Sequence, residues 1–299
     1  MDSEYKVAVV CTAYNHEPYI RQCIESIINQ RTTFKYMLLI HDDASTDGTS
    51  TIIREYQKKY PDIVFPIIQQ ENQYSKGIGI INEIILPHVK TPYIAICEGD
   101  DYWCDDSKLE RQFSYMESHP DCGICVHEAK RINYIYDIQD LNTKEIYEKD
   151  YSVEEVIGFQ SGHFATNSIF IRTELRRNIP NEFFCSHFGD WQMIIYGAQN
   201  KYLHYLPNVM SVYNQGVPGS YTTRTAQSLK YNIETRNEIL NLLQTLDVYY
   251  DFKYEKTIKK VSRHVTRKKR ELQKRYIVHK YFPFLVNVKK LLRGKKNDE

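Results

Sequence analysis

Three short polar clusters in this 299-residue chain carry side chains able to bind a hard cation or accept hydrogen bonds. Thr12-Ala-Tyr-Asn-His16 is the first, Asp42-Asp-Ala-Ser-Thr-Asp47 the second, and Glu98-Gly-Asp-Asp-Tyr-Trp103 the third. Glu98, Asp100 and Asp101 crowd three carboxylates into one short turn. Like charges held that close repel unless a cation or a proton intervenes. Oxygen ligands at this density suit Mg²⁺ or Mn²⁺. A further acid, Asp190, stands between Gly189 and Trp191 at a predicted helix start. There it can cap the helix or act as a base toward a hydroxyl. Capping is also open to Asp43 and Ser45, and it is the expected role of Asp47.

The surrounding elements decide whether these clusters meet. Val7–Cys11, Tyr36–Ile40 and Tyr93–Cys97 are short apolar runs, as expected of parallel strands buried on both faces. Ile63–Ile68 is a further strand, and Pro66 within it points to a sheet edge. Helices are predicted after Pro18, with Ile20, Cys23, Ile24, Ile27 and Ile28 at helical spacing, and from Ile52 to Tyr60, where Pro61 ends it. A third is predicted over Ile78–Leu86. This alternation implies an α/β fold with a mostly parallel sheet flanked by helices. In such sheets ligands sit beyond the carboxyl ends of the strands. The three clusters follow strands one, two and four, so they converge on one crevice.

Further along, a helix with Leu109, Phe113 and Met116 on one face and strands at Gly123–His127 and Ser168–Arg172 are expected. The polar stretch 134–158 reads as loop with short helices. From Ala226 the chain reads as helix to its end. The expected organisation is one domain over 1–225 and a basic, amphipathic helical extension over 226–299.

Hydrophobic content of 42% and charged content of 26% are ordinary for a globular protein. The net charge of +1 hides an asymmetry. Lys253–Glu299 carries 17 Lys/Arg against 4 Asp/Glu, and the rest of the chain 22 against 34. The seven cysteines are odd in number and fall mostly within predicted elements, which fits reduced thiols in a cytoplasmic compartment. Cys122-Gly-Ile-Cys125 lacks the second ligand pair of a zinc site and reads as buried thiols in a strand. Met1–Lys6 is polar, without an apolar signal core, and no run approaches the ~18 apolar residues of a membrane span.

Taken together, Val9-Val-Cys-Thr-Ala-Tyr-Asn-His-Glu17, Asp42-Asp-Ala-Ser-Thr-Asp-Gly-Thr49 and Glu98-Gly-Asp-Asp-Tyr-Trp103 resemble the successive motifs of family 2 glycosyltransferases with the GT-A fold. His187-Phe-Gly-Asp-Trp191 is similar to the segment that holds that family's catalytic base. Val209–Tyr213 with Gly219-Ser220 is similar to its closing strand and loop. The resemblance covers about residues 5 to 225. It implies an inverting transfer of a sugar from a UDP- or dTDP-sugar to an acceptor hydroxyl, with Mn²⁺ or Mg²⁺ as cofactor. By the same resemblance Thr12, Tyr14 and Glu17 lie beside the nucleotide, and Asp43 accepts a hydrogen bond from the pyrimidine N3–H. Asp100 binds the metal, Asp101 contacts the donor sugar and Asp190 is the base. Glu98 stands where the family usually has Asp, and it is placed with the metal. His163 falls in a segment that lines the family's acceptor side.

Two other enzyme classes built on parallel sheets are excluded. A nicotinamide dehydrogenase needs G-x-G-x-x-G after strand one, and a sugar nucleotidyltransferase needs a Gly-rich loop there. Thr12-Ala-Tyr-Asn15 contains no glycine. A catalytically weak, transferase-like scaffold is the alternative, opposed by the presence of Asp43, Asp100 and Asp190. In the basic tail, Ile258, Val261, Val265, Leu272, Ile277, Tyr281 and further apolar residues are interleaved with Lys and Arg. An interfacial helix on an anionic membrane is the preferred reading, ahead of a helix packed on the domain. No nucleic-acid-binding signature accompanies the charge. The family's lipid-linked saccharide acceptors favour the membrane reading, with the protein peripheral on the cytoplasmic face. The implied setting is bacterial-type surface polysaccharide synthesis.

Overall fold

The computed structural model describes residues 4–159, 162–184, 189–218, 220, 222–223 and 228–281. Its contacts divide the chain into two units, one of Met1–Pro180 with Phe188–Val217, the other of Asn181–His187 with Pro218–Glu299.

The first unit opens with β1 (Tyr5–Ala13), α1 (Glu17–Ile28), β2 (Lys35–Asp42), α2 (Thr49–Lys59), β3 (Val64–Ile68) and β4 (Tyr93–Ile96). It continues with β5 (Tyr102–Trp103), α3 (Lys108–Ser118), β6 (Cys122–Asn133), β7 (Ile138–Leu141), β8 (Lys149–Tyr151) and α4 (Val153–Phe159). Then come β9 (Phe170–Arg172), α5 (Thr173–Arg177), α6 (Gly189–Ala198) and the 14-residue β10 (Tyr202–Gln215). One sheet runs β3-β2-β1-β4-β9-β6-β10-β5, with β7 on β6 and β8 on β10. Its first four strands are parallel, as the apolar runs imply, and β3 with its proline is the edge. Beyond β4 the sheet is mixed: β9 is antiparallel to β4 and β6, and β10 is parallel to β6.

The core follows from the strand runs. Val7, Val9 and Cys11 of β1 meet Leu38 and Ile40 of β2 and the α1 face Ile20, Cys23, Ile24 and Ile27, all fully buried. Pro18 lies in the first turn of α1, where its missing N–H costs nothing. Cys122 and Cys125 are buried in β6 and unpaired, as expected of strand thiols. Cys185 lies outside the described residues.

Several elements depart from expectation. The stretch 134–158 contains β7 and β8 besides α4; β7 is mostly exposed and carries no alternating pattern. The helix expected at Ile78–Leu86 is a π-helix over Ile80–Ile85 followed by a 3-10 turn, Leu86–His88, containing Pro87. The C-terminal helix is two helices in the second unit, α7 (Leu229–Tyr249) and α8 (Glu255–Tyr281). Asp251 and Phe252 take φ of 48° and 58° between them, a left-handed conformation that no helix continues through. Ile258, Val261 and Val265 of α8 are buried, and α8 packs along α7. The first half of the basic segment thus packs on its own unit. Phe282–Glu299 and Gly219 lie outside the described residues.

Candidate active site

The first two polar clusters are stitched to each other. Asn15 takes φ of 54° at the β1–α1 turn; its N–H donates to Ser45 Oγ (2.9 Å) and its Oδ1 accepts from the Thr46 N–H (2.8 Å). The His16 N–H donates to Thr49 Oγ1 at 2.9 Å. Asp47 accepts from the Thr49 N–H (3.0 Å) at the start of α2, the capping contact expected of it, and also from the Glu17 N–H (3.1 Å). Glu17 accepts from the Gly48 N–H at 2.8 Å, so its carboxylate is tied to the second cluster. Thr12 is half-buried at the end of β1, and Tyr14 is 45% exposed just beyond it.

Asp43 follows β2 and is 4% exposed. Its two carboxylate oxygens accept from the backbone N–H groups of Gln73 (2.7 Å) and Tyr74 (3.0 Å). It therefore organises the 72–76 turn, and each oxygen retains a further lone pair. His41 is fully buried 4.0 Å away, and burial lowers its pKa despite Asp43.

The third cluster is joined to the first through Gly99, whose N–H donates to the Thr12 carbonyl at 2.9 Å. Glu98 and Asp100 are half-buried on either side of it. Burial, then repulsion from Asp100 and Asp190, pushes the Glu98 carboxyl up to about 8. Burial also raises Asp100, against the nearby His16, and raises Asp190. Asp190, 92 positions after Glu98, is thus within electrostatic reach of it. It occupies the first turn of α6, a helix buried from Trp191 to Ala198. α6 lies hard against β6: a Cβ at Gly123 would fall 2.1 Å from the Gly197 carbonyl, and one at Gly197 2.7 Å from Ile124 Cβ. Glycine at both positions permits the approach that sets Asp190 at this end of the sheet. His187 and Phe188 of the same motif lie outside the described residues.

Asp101 departs from its expected place beside the donor sugar. It is 1% exposed, and its oxygens accept from Asn167 Nδ2 (2.9 Å) and the Asn214 N–H (2.8 Å). Burial, then Asp100 and Glu98, raises its carboxyl, while the Asn214 bond opposes the shift. Its geometry is that of a buried brace under the turn. Asn167, Ser211 and Asn214 complete this brace, and the sequence singles out none of them individually. The one available signal was an asparagine inside a strand, where that residue is depleted. His163 stacks on Phe159 (centroids 4.0 Å apart) and meets Phe164 edge-on, and burial lowers its pKa.

The donor set suits a divalent cation. Glu98 and Asp100 offer hard oxygens whose raised pKa values a cation would reverse. Among the described residues, no three His, Cys, Asp or Glu side chains could hold a metal by themselves. Mg²⁺-type sites commonly use one or two carboxylates and fill the remainder with water and substrate phosphate, and Glu98 and Asp100 fit that division.

Structurally the chain is similar to S. aureus TarS in complex with UDP-GlcNAc (TM-score 0.60, 18% identity, 80% of this chain and 66% of that one). It is also similar to the mannosyltransferase PcManGT of Pyrobaculum calidifontis in complex with GDP-Man and Mn²⁺ (TM-score 0.57, 16% identity, 97% and 81%). At these identities the likeness establishes the fold, that of GT-A-type glycosyltransferases. Residues 8–175 match glycosyl transferase family 2, and the chain belongs to that family. An uncharacterized protein of Mycobacterium tuberculosis is 31% identical over 247 residues, 82% of this chain and 68% of that protein. The poly(ribitol-phosphate) beta-glucosyltransferase of Bacillus spizizenii is 32% identical over 129 residues, 43% of this chain and 20% of that enzyme.

Proposed function

We propose that this chain is an inverting, metal-dependent glycosyltransferase that moves a sugar from a UDP- or dTDP-sugar to a hydroxyl of a saccharide or lipid-linked saccharide acceptor. The observation that carries this reading is that the polar clusters following β1, β2 and β4 are bonded to one another, the Gly99 N–H to the Thr12 carbonyl and the His16 N–H to Thr49 Oγ1, so that Glu98 and Asp100 stand beside the β1–α1 turn. Family membership and the nucleotide-sugars in the TarS and PcManGT structures support it. The poly(ribitol-phosphate) relative supports a role in surface polysaccharide synthesis.

In this reading Asp100, with Glu98, would hold Mn²⁺ or Mg²⁺. When bound, the cation acts as a Lewis acid that offsets charge on the departing diphosphate. Asp190 takes the proton of the acceptor hydroxyl. The acceptor oxygen bonds to the anomeric carbon as the bond from that carbon to the phosphate oxygen breaks, its electron pair leaving with the diphosphate. Attack from the opposite face inverts the centre. Thr12, Tyr14 and Glu17 flank the nucleotide, and Asp43 accepts from the pyrimidine N3–H. The basic tail keeps the enzyme on the cytoplasmic face of an anionic membrane; no described helix is long and apolar enough to cross one.

The test is thermal stabilisation and turnover with UDP-, dTDP- and GDP-sugars in the presence of Mn²⁺. A bound donor at 100 times its dissociation constant adds ~2.7 kcal/mol of stability. Pyrimidine donors are expected to stabilise and turn over. Preference for GDP would remove the role given to Asp43, and full turnover in excess EDTA would remove the metal.

A further inference from the structure

Asn214, near the end of β10, touches the acidic turn twice. Its backbone N–H donates to Asp101 Oδ1, and its side-chain Nδ2 donates to the carbonyl of Asp100 at 2.7 Å. The other end of the same amide, Oδ1, accepts from the hydroxyl of Tyr134 at 3.2 Å. A carbonyl only accepts, so the Asp100 carbonyl fixes which way the Asn214 amide faces and Tyr134 must be the donor. Asn214 is 5% exposed, while the Tyr134 ring is 54% exposed.

Beneath this contact lies a second amide. Asn167 Nδ2 donates to Asp101 Oδ2 and to the Val212 carbonyl, both at 2.9 Å, while its Oδ1 accepts from Ser211 Oγ at 2.7 Å. The Val212 carbonyl likewise fixes this amide's orientation. The Asn167 carbonyl accepts from Trp103 Nε1 at 3.1 Å. Asp101 is thereby held from β10 and from the 166–168 turn. The main chain of Asp100 is held by Asn214, while the Asp100 carboxylate lies half-buried near His16. A buried polar network with its partners satisfied selects one arrangement of the groups it contains. Here it selects the orientation of the turn that carries Asp100.

We propose that Asn214 is a positioning residue that aims the Asp100 carboxylate at the divalent cation, with Tyr134 holding the far end of its amide from the rim. This rests on the reading above, in which Asp100 is a metal ligand. Residues that orient a metal ligand typically cost 10–100-fold in metal affinity when lost. The brace acts on the cation and not on the base or ribose, because none of its bonds reaches Thr12, Tyr14 or Asp43.

The test is Mn²⁺ binding to the full-length protein with UDP present, read from the electron paramagnetic resonance signal of free Mn²⁺. UDP affinity without metal is measured alongside by calorimetry. Wild type, Asp100→Asn, Asn214→Ala and Tyr134→Phe are compared. Asp100→Asn is expected to lose Mn²⁺. Asn214→Ala is expected to raise the Mn²⁺ dissociation constant about 10–100-fold, with metal-free UDP affinity unchanged. A general loss of folding would not separate the two readouts in this way. Tyr134→Phe keeps the ring, removes only the hydroxyl and is expected to shift the constant in the same direction by less. Wild-type Mn²⁺ binding by Asn214→Ala overturns the proposal. If that variant does not fold, an unchanged constant in Tyr134→Phe overturns it. If Asp100→Asn binds Mn²⁺ as well as wild type does, the metal role of Asp100 fails and the proposal falls with it.

Discussion

His16 Nδ1 lies 2.8 Å from the point that a Cβ on Gly99 would occupy. The same Cβ would meet Ile20 Cδ1 at 3.0 Å and Ala13 Cβ at 3.1 Å. The turn carrying Glu98 and Asp100 therefore rests directly on the β1–α1 turn, and a Cβ there would force the His16 ring to shift. Gly99→Ala is expected to push the turn away, destabilising the fold by ~1–3 kcal/mol through overpacking and weakening cation and donor binding together. Thermal unfolding and nucleotide titration check this. Wild-type values for both would mean that the two turns separate without consequence.

Asp190→Asn keeps the size of the side chain and loses the ability to take a proton. General-base catalysis typically contributes ~10²–10⁴-fold, so transfer to the acceptor is expected to fall by that range. Nucleotide affinity is expected to persist, since Asp43 and Asp100 are untouched. Both are measured on one preparation. Transfer near wild type would leave Asp190 as a helix cap alone.

Lys108, in the first turn of α3, is fully buried. Its Nζ donates to Gln112 Oε1 at 2.8 Å and lies 4.1 Å from the centroid of the Trp103 ring. Burial brings its pKa down from 10.5 to about 7. Between these values the unfolded chain holds a proton that the folded chain has shed. Stability from this group therefore rises with pH by ~1.4 kcal/mol per unit and is lost as pH falls through about 7. Lys108→Met is expected to lack that slope, so its advantage over wild type is largest near pH 6 and shrinks toward pH 10. Denaturant midpoints at pH 6, 8 and 10 read the difference, and a constant offset would show that the lysine stays charged throughout.

The tail needs a cut that spares α8's buried face. Ile258, Val261 and Val265 are buried, whereas Ile277 and Tyr281 are 49% and 62% exposed. Removing residues 270–299 is expected to leave the fold and catalysis in place and to abolish sedimentation with anionic vesicles. Each basic residue near such a surface contributes ~1 kcal/mol, and raised salt should weaken the binding of the full-length protein. Equal sedimentation of both forms would end the membrane reading.

The polar clusters after strands one, two and four were legible in the sequence because a strand buried on both faces appears as an unbroken apolar run. The residues just past such a run fall at the ligand-binding end of the sheet. That is a local signal, and it located Asp43, Glu98 and Asp100 without a structure. Strands β7 and β8 escaped it because a mostly exposed strand has no buried face to leave a period of two. Asp101 stands in the same cluster, but its burial was not legible there. Asp100 and Asp101 are neighbours of the same residue type, yet one is half-buried at the crevice and the other is 1% exposed beneath it. The partners that draw Asp101 inward stand 66 and 113 positions away, at Asn167 and Asn214. No spacing rule reaches across such separations. Which carboxylate faces the crevice and which braces it is decided by hydrogen bonds that exist only once β10 and the 166–168 turn have packed around the acidic turn.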